Sequence, residues 1–280
     1  MTRSEVQTET LTIVKFIDSI CSKLGLKYFV MYGTLIGAVR HHGFIPWDDD
    51  FDIVMFRDDY ERFLNYMSSN ETGDFYVDNP ETNKCYPFYI SRVCNRKYTL
   101  LFDNLHYRSG LFVDIYPFDG LGDKKDQSWW TKEKNQRIYW LERGLLFSRT
   151  KSLLWGNSLL HKLGNLPLML FSKMVGNMYF FNKLETYKTR FSLDNSKFVS
   201  DPCWTSRLIF YEKEWFASPI MVKFENLEVP IPNGYDIILR LIYGDYMTLP
   251  PESERVSTHG YTAYKTEDYC KNNAKGIMPQ

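Results

Sequence analysis

The sequence predicts an α+β chain, a mixed β-sheet core flanked by helices and carrying a helical insertion. Three observations lead there. Short aromatic and β-branched runs alternate with segments whose apolar residues recur every three or four positions. An acidic cluster joins a glycine-containing turn to the start of one strand-like run. A long middle stretch has helical periodicity and no strand-like run.

Taken in order, Val14, Ile17, Cys21 and Leu24 mark one face of an amphipathic helix, with Gly25 as its C-terminal cap. Tyr28 to Tyr32 reads as a buried strand ending at Gly33-Thr34, and Leu35 to Arg40 as short helical turns closed by Gly43. A second strand runs from Asp50 to Phe56. Asp58 and Glu61 have the spacing of a capping box for a helix through Met67. Tyr86 to Val93, Tyr98 to Phe102 and Leu111 to Ile115 read as three further strands, the last stopping before Pro117. Lys124 to Phe147 is one long helical stretch, and Lys151 to Thr189 two amphipathic helices broken at Pro167. Two strand-like runs return between Arg207 and Val229, and Tyr235 to Tyr243 is a helix ended by Gly244. The expected organisation is a catalytic core at 1–122, a basic helical insertion at 123–200, and strands and a helix at 201–280 that complete the core.

With 280 residues, 44% hydrophobic and 17% aromatic, the chain can bury a large core, which excludes disorder as its main state. Lys+Arg and Asp+Glu are both 34, so the strongly basic signature of a general nucleic-acid binder is missing. The balance is a cancellation: residues 1–120 hold 12 basic and 17 acidic side chains, 121–200 hold 14 and 6, and 201–280 hold 8 and 11. The densest apolar run, Leu166 to Phe171, is too short to span a bilayer, and the N-terminus lacks the pattern of a signal peptide. A cytoplasmic protein is expected. Five cysteines without a CxxC pair suit reduced thiols.

The chemistry concentrates in YGTLIGAVRHHGFIPWDDDFDIV, Tyr32 to Val54. On a strand, Asp48, Asp50 and Asp52 share one face while Phe51 and Ile53 point to the other. Carboxylates at i and i+2 can grip one cation, and enclosure by Trp47, Phe51, Ile53 and Phe56 makes lone carboxylates costly there. Asp50 and Asp52 are the expected metal ligands, with Asp48 in a supporting position. Asp114, between Val113 and Ile115, is the expected third acid, ahead of Asp103 and Asp119 at run ends. Oxygen ligands favour Mg2+ or Mn2+. Gly33 and Thr34 offer amides and a hydroxyl to a phosphate, with Arg40 at the end of the same short helix. Lys84 is a further phosphate candidate. Arg255 and His259 are candidate substrate contacts, and His41 and His42 are expected at the surface.

Three blocks together resemble the LicD family of phosphocholine transferases, related to fukutin and the wider nucleotidyltransferase fold: Tyr32 to Val54, GLFVDIYPFDGL from Gly110 to Leu121, and LIYGDYMTLPPESERVSTH from Leu241 to His259. The resemblance implies a nucleotidyltransferase-like sheet in which Gly33-Thr34 is the donor-phosphate turn, Asp50 and Asp52 the metal pair and Asp114 the third acid. Thr34 departs from the usual Ser or Gly but keeps a hydroxyl. It implies a CDP-alcohol donor such as CDP-choline, and an acceptor hydroxyl on a cell-surface glycan or teichoic acid precursor, lipid-linked and reached at the inner face of the cell membrane. Transfer of glycerol or ribitol phosphate, true nucleotidyl transfer, and a noncatalytic nucleotide-binding scaffold remain as alternatives. The basic, apolar middle third fits either a peripheral membrane contact or an ordinary helical subdomain.

Overall fold

The computed structural model describes residues 1–152, 158–203, 208–256 and 260–274. Helix α1 (Arg3–Leu24) opens with Thr2 and Glu5 capping each other and closes at Gly25 in the left-handed conformation, as its pattern requires. Strand β1 is only Phe29–Val30. Tyr32, expected to end that strand, instead starts α2 (Tyr32–Ile36), which runs into a π turn at Gly37–His41. His42, not Gly43, closes the turn in a left-handed conformation. Gly43 is needed for another reason, because the Glu225 carboxylate occupies the space a Cβ would take.

Strand β2 (Asp52–Phe56) passes directly into α3 (Arg57–Ser69), so Phe56 is the N-cap and the expected capping box of Asp58 and Glu61 does not form. Asp58 and Asp59 lie instead in the first turn, where the helix dipole favours them. An unexpected β3 (Phe75–Asp78) follows. The two strands expected over Tyr86 to Phe102 are one, β4 (Ser91–Phe102), whose pairing is interrupted by a bulge between Asn95 and Leu100. Strand β5 (Arg108–Gly120) continues through Pro117. Asp114 donates its amide to Phe51 on the β2 side, so Pro117, three residues on, faces the opposite side, beyond the end of β4 at Ser91.

Helix α4 (Gln127–Glu133), a π turn at Lys134–Ile138 and α5 (Tyr139–Phe147) make up the long helical stretch. Helix α6 (Leu159–Val175) passes through Pro167, and the break expected there falls at Gly176, with φ of 79°, before α7 (Asn177–Lys188). Pro167 withholds a hydrogen bond only from the carbonyl of Leu163, and both residues are exposed, so water can serve that oxygen. Then come β6 (Phe198–Ser200), β7 (Tyr211–Glu212), the β8 (Ile220–Phe224) and β9 (Leu227–Ile231) hairpin, and α8 (Tyr235–Tyr243), ended by Gly244. Of the expected runs between Arg207 and Val229, Arg207 itself lies outside the described residues. The chain returns as β10 (Tyr261–Lys265) and α9 (Thr266–Ala274).

The main sheet is mixed. Its central order is β1-β2-β5-β4-β10; β2 and β5 are parallel and the other pairs antiparallel. Strand β3 shares the outer edge of β4 with β10, while β6 pairs with the far end of β5 and β7 with β6. Alternation assigns the two faces. Ile53, Val93, Val113 and Ile115 point to one, where Tyr60 of α3 hydrogen-bonds Ser91 and Phe16 of α1 stacks on Phe75. The other face carries Asp52, Asp114, Arg92 and Asp78. A separate apolar cluster of Leu121, Trp130, Ile138, Leu145, Phe180 and Leu184 holds α4, α5 and α7 together against the end of β5. All five cysteines are free thiols. Among the described residues no helix is long and apolar enough to cross a membrane.

Two glycines should respond to alanine with opposite signs in urea unfolding. A Cβ on Gly110 would lie 2.5 Å from the Asn95 carbonyl oxygen beside the β4 bulge, so Gly110→Ala lowers the midpoint. Gly164 sits inside α6 with open space around it, so Gly164→Ala raises stability by about 0.5–1 kcal/mol.

Candidate active site

The site begins with the register. Asp52 of β2 lies opposite Asp114 of β5, Asp114 opposite Arg92 of β4, and Arg92 opposite Asp78 of β3. Four ionisable residues thus form one row across four strands on one face, and all are buried. The row contains three carboxylates and one guanidinium. Arg92 Nε donates to Asp114 Oδ1 at 2.6 Å, and its Nη2 reaches Oδ2 at 3.5 Å. The guanidinium is packed between the rings of Phe112 and Phe88, with centroids at 3.7 and 4.3 Å, and its Nη1 has no hydrogen-bond partner. At the ends of the row, Asp78 accepts from the Tyr107 hydroxyl at 2.6 Å and Asp52 from the Tyr116 hydroxyl at 3.2 Å.

The glycine turn is tied to this row. Asp52 donates its amide to Thr34 Oγ1 at 2.8 Å, and Met31 donates its own to the Asp52 carbonyl. Thr34 is buried, and its hydroxyl hydrogen remains free to be donated elsewhere. Tyr32, where the turn starts, has φ of 55°, a left-handed conformation that costs an aromatic residue free energy and recurs at functional sites. Its ring packs edge-on against Tyr116. Gly33 lets Asp48 approach closely: a Cβ there would lie 2.8 Å from Asp48 Oδ2, and that carboxylate would have to shift. The acidic loop is in turn anchored by Gln7 of α1, which donates to the Asp48 carbonyl at 2.7 Å. Asp48, Asp49 and Asp50 are half-buried.

Four tyrosines, Tyr116, Tyr32, Tyr243 and Tyr261, surround the segment from Asp48 to Asp52, a feature that sequence reasoning missed. Burial, followed by the charges of Asp52 and Asp114, pushes the Tyr116 hydroxyl well above its ordinary pKa. Tyr32 is raised by burial and, more weakly, by Asp201 and Asp52. Tyr243 has an open ring, 43% exposed, yet its hydroxyl end is raised by local burial and then by Asp52, Asp48 and Asp50. Tyr261, raised by burial and Asp49, brings its hydroxyl within 3.5 Å of the Asp49 carbonyl. Because negative charge at these positions is disfavoured, the phenols stay protonated as donors. Arg92 was missed as well. A lone arginine inside an apolar strand, with the same parity as an acid on the next strand, is the signal that would have identified it.

The other candidates divide. Arg255 is half-buried over the ring of Trp47, 5.6 Å from its centroid, and donates to the Pro250 carbonyl, so it stands beside the acidic loop. Arg40 reaches the carbonyls of Tyr246 and Thr248 and fastens the turn after α2 to the segment following α8. Lys84 is exposed, its carbonyl accepts from Arg149 beside α5, and it takes no part in the row. His42 is exposed and His41 half-buried beside Trp47. His259 lies outside the described residues.

A cation would find only oxygen donors here. The excess of carboxylate over guanidinium in the row suits a hard divalent ion, although among the described residues no three acidic, His or Cys side chains are gathered as a ready ligand set. Asp50, Asp52 and Asp114 would supply those oxygens, Asp114 also accepting from Arg92 and Asp52 from Tyr116.

The family model described as "LicD/FKTN/FKRP, nucleotidyltransferase domain" matches residues 25–155, which include the turn, the acidic loop and the whole row. The lipopolysaccharide cholinephosphotransferase LicD of Haemophilus influenzae is 32% identical over 275 residues, covering 94% of this chain and 98% of that protein. An uncharacterised protein of Rickettsia typhi is 26% identical over 135 residues, 41% of this chain and 44% of its own length.

Arg92→Leu should destabilise the fold by about 3–5 kcal/mol in urea unfolding, because it leaves a buried carboxylate without its cation. Arg92→Leu combined with Asp114→Leu should recover a large part of that loss. A double variant no better than the single one would show that the pair is not coupled.

Proposed function

The chain belongs to the LicD family and is a phosphotransferase, and from that premise we propose that it transfers phosphocholine from CDP-choline to a hydroxyl of a lipid-linked cell-surface glycan of the lipopolysaccharide type. The observation that carries the reading is the pairing of Asp52 with Asp114 across parallel strands, with the Gly33-Thr34 turn hydrogen-bonded to Asp52. Carboxylates, turn amides and a hydroxyl come together there, which supports the reading of a nucleotidyltransferase-like core built from 1–122 and 201–280 with 123–200 as a helical insertion.

In this reading the acceptor oxygen attacks the phosphorus of the phosphocholine unit, the bond from that phosphorus to the bridging oxygen breaks, CMP leaves with the electron pair, and the acceptor's proton is released to solvent water. Mg2+ or Mn2+, held by Asp50 and Asp52 with Asp114 as the third acid and Asp48 in support, would supply positive charge to the phosphoryl oxygens. The amides of Gly33 and Thr34 at the start of α2 and the Thr34 hydroxyl bind the donor phosphates. Arg255, next to Trp47, adds a cation from the C-terminal block, and Arg40 holds that block in place. Asp114, whose oxygens accept from Arg92, orients the acceptor hydroxyl. The protonated Tyr116 holds Asp52 in its rotamer. The lipid-linked acceptor puts the enzyme at the cytoplasmic face of the membrane as a peripheral protein.

Chelation of divalent ions should abolish CMP release from CDP-choline, and added Mg2+ or Mn2+ should restore it. Asp50→Asn and Asp52→Asn should each lower release by about two to three orders of magnitude, with the urea midpoint of Asp52→Asn near wild type because the amide oxygen still accepts from Tyr116. Full activity in Asp52→Asn would sink the reading.

A further inference from the structure

Helix α6 reverses the usual amphipathic pattern. Its inner side is thin, with Met169 and Ser172 buried and Asn165 accepting from Arg143 of α5. Its outer side presents Leu159, Leu160, Leu163, Leu170, Phe171 and Met174 to solvent. Leu160 and Met174 are 82% and 77% exposed, close to what a free side chain shows. From Leu160 the exposed positions fall at 163, then seven residues or two turns on at the neighbouring pair Leu170 and Phe171, then at Met174, so they form one stripe along the helix. Water is a poor surrounding for a contiguous stripe of this size, and such patches mark interaction surfaces. Nearby, Trp140 of α5 and Tyr179 of α7 are exposed as well, Tyr179 packing edge-on against Phe171.

The charge around the stripe identifies what covers it. Residues 143–184 contain six Lys or Arg and no Asp or Glu. Lys173 is exposed on α6 and reaches back to the Thr150 carbonyl, and Lys183 is exposed on α7, while Lys151, also exposed, donates to the Phe102 carbonyl. A second copy docking the same face would bring cations against cations, which opposes association. A surface that is apolar inside and anionic outside satisfies both features. The stripe enters the acyl boundary and the lysines meet the headgroups. With 17 residues and an apolar face on one side only, α6 is suited to lie in the interface and not to cross it.

We infer that the outward face of α6 is a docking surface for an anionic lipid membrane, with Leu160, Leu163, Phe171 and Met174 inserted among the acyl chains. The inference rests on the proposed lipid-linked acceptor only for its purpose, since docking there brings the enzyme to the surface that carries its substrate. Lipid binding itself needs no turnover.

Flotation of the full chain with vesicles of phosphatidylethanolamine and phosphatidylglycerol, compared with phosphatidylcholine alone, tests it. Wild type should float with the anionic vesicles, less so at high salt, and poorly with phosphatidylcholine. The variant Leu160→Ser, Leu163→Ser, Met174→Ser changes only exposed positions, so its urea midpoint should hold while its recovery with anionic vesicles falls about tenfold or more. Lys162→Glu with Lys173→Glu should reduce recovery on anionic vesicles alone. Equal flotation of wild type and the serine variant would overturn the inference. So would a wild-type dimer that the serine variant converts to monomer without any lipid dependence. Stripe-dependent flotation supports the inference even if no CMP is released from CDP-choline, a result that would sink only the reading of the reaction.

Discussion

The pairing of Asp114 with Arg92 inside the sheet is the constraint around which the molecule is arranged. A carboxylate on a buried strand is tolerable only if something charged or protic faces it, and here a guanidinium does so from the neighbouring strand at 2.6 Å. That pairing demands one relative register of β4 and β5, because a slip of a single residue would send Arg92 to the opposite face. The parallel alignment of β2 then brings Asp52 alongside, and β3 adds Asp78 beyond Arg92. The aromatic rings on the same face exclude water from the guanidinium and supply phenols to the outer carboxylates. The row therefore joins the fold to the chemistry, since the residues that need a fixed register are those proposed to bind and orient the substrates.

The turn and the acidic loop are built on the same row from the other side. Thr34 accepts the Asp52 amide, Gly33 makes space for Asp48, and Tyr32 takes a strained backbone conformation between them. The C-terminal block closes over this assembly through Arg40, Arg255 and Tyr261. Regions at opposite ends of the chain thus meet at one edge of the sheet, while the helices α4 to α7 pack mostly among themselves.

Much of this was legible from local pattern. The spacing of Asp50 and Asp52, the glycine turn and the aliphatic run around Asp114 are signals confined to a few residues, and the strands they predicted are present. Strand β2 begins only at Asp52, however, so Asp48 and Asp50 lie in the loop before it and do not share a strand face with Asp52. Boundaries shifted where tertiary contacts decide them. Phe56 has no room for a capping box because strand and helix are continuous, and Pro167 is tolerated because the carbonyl it deprives faces water. Strands β3 and β10 escaped notice because both are short edge partners of β4 whose pairing is long-range. Arg92 and the four tyrosines belong to the site only through cross-strand neighbours and chain return, which no spacing along the sequence reveals. The zero net charge hid a regional separation that the structure makes concrete, with carboxylates gathered in the sheet and cations around the exposed apolar face of α6.

The proposed chemistry requires the acidic group to take a divalent ion together with a cytidine diphosphate donor. The most direct measurement is a crystal structure of the protein with Mn2+ and CDP-choline, read from the anomalous signal of the metal. The account predicts an anomalous peak bound by the carboxylates of Asp50 and Asp52, with the donor phosphates on the Gly33-Thr34 turn. A nucleotide bound elsewhere, or an acidic loop without metal beside an ordered donor, would contradict it.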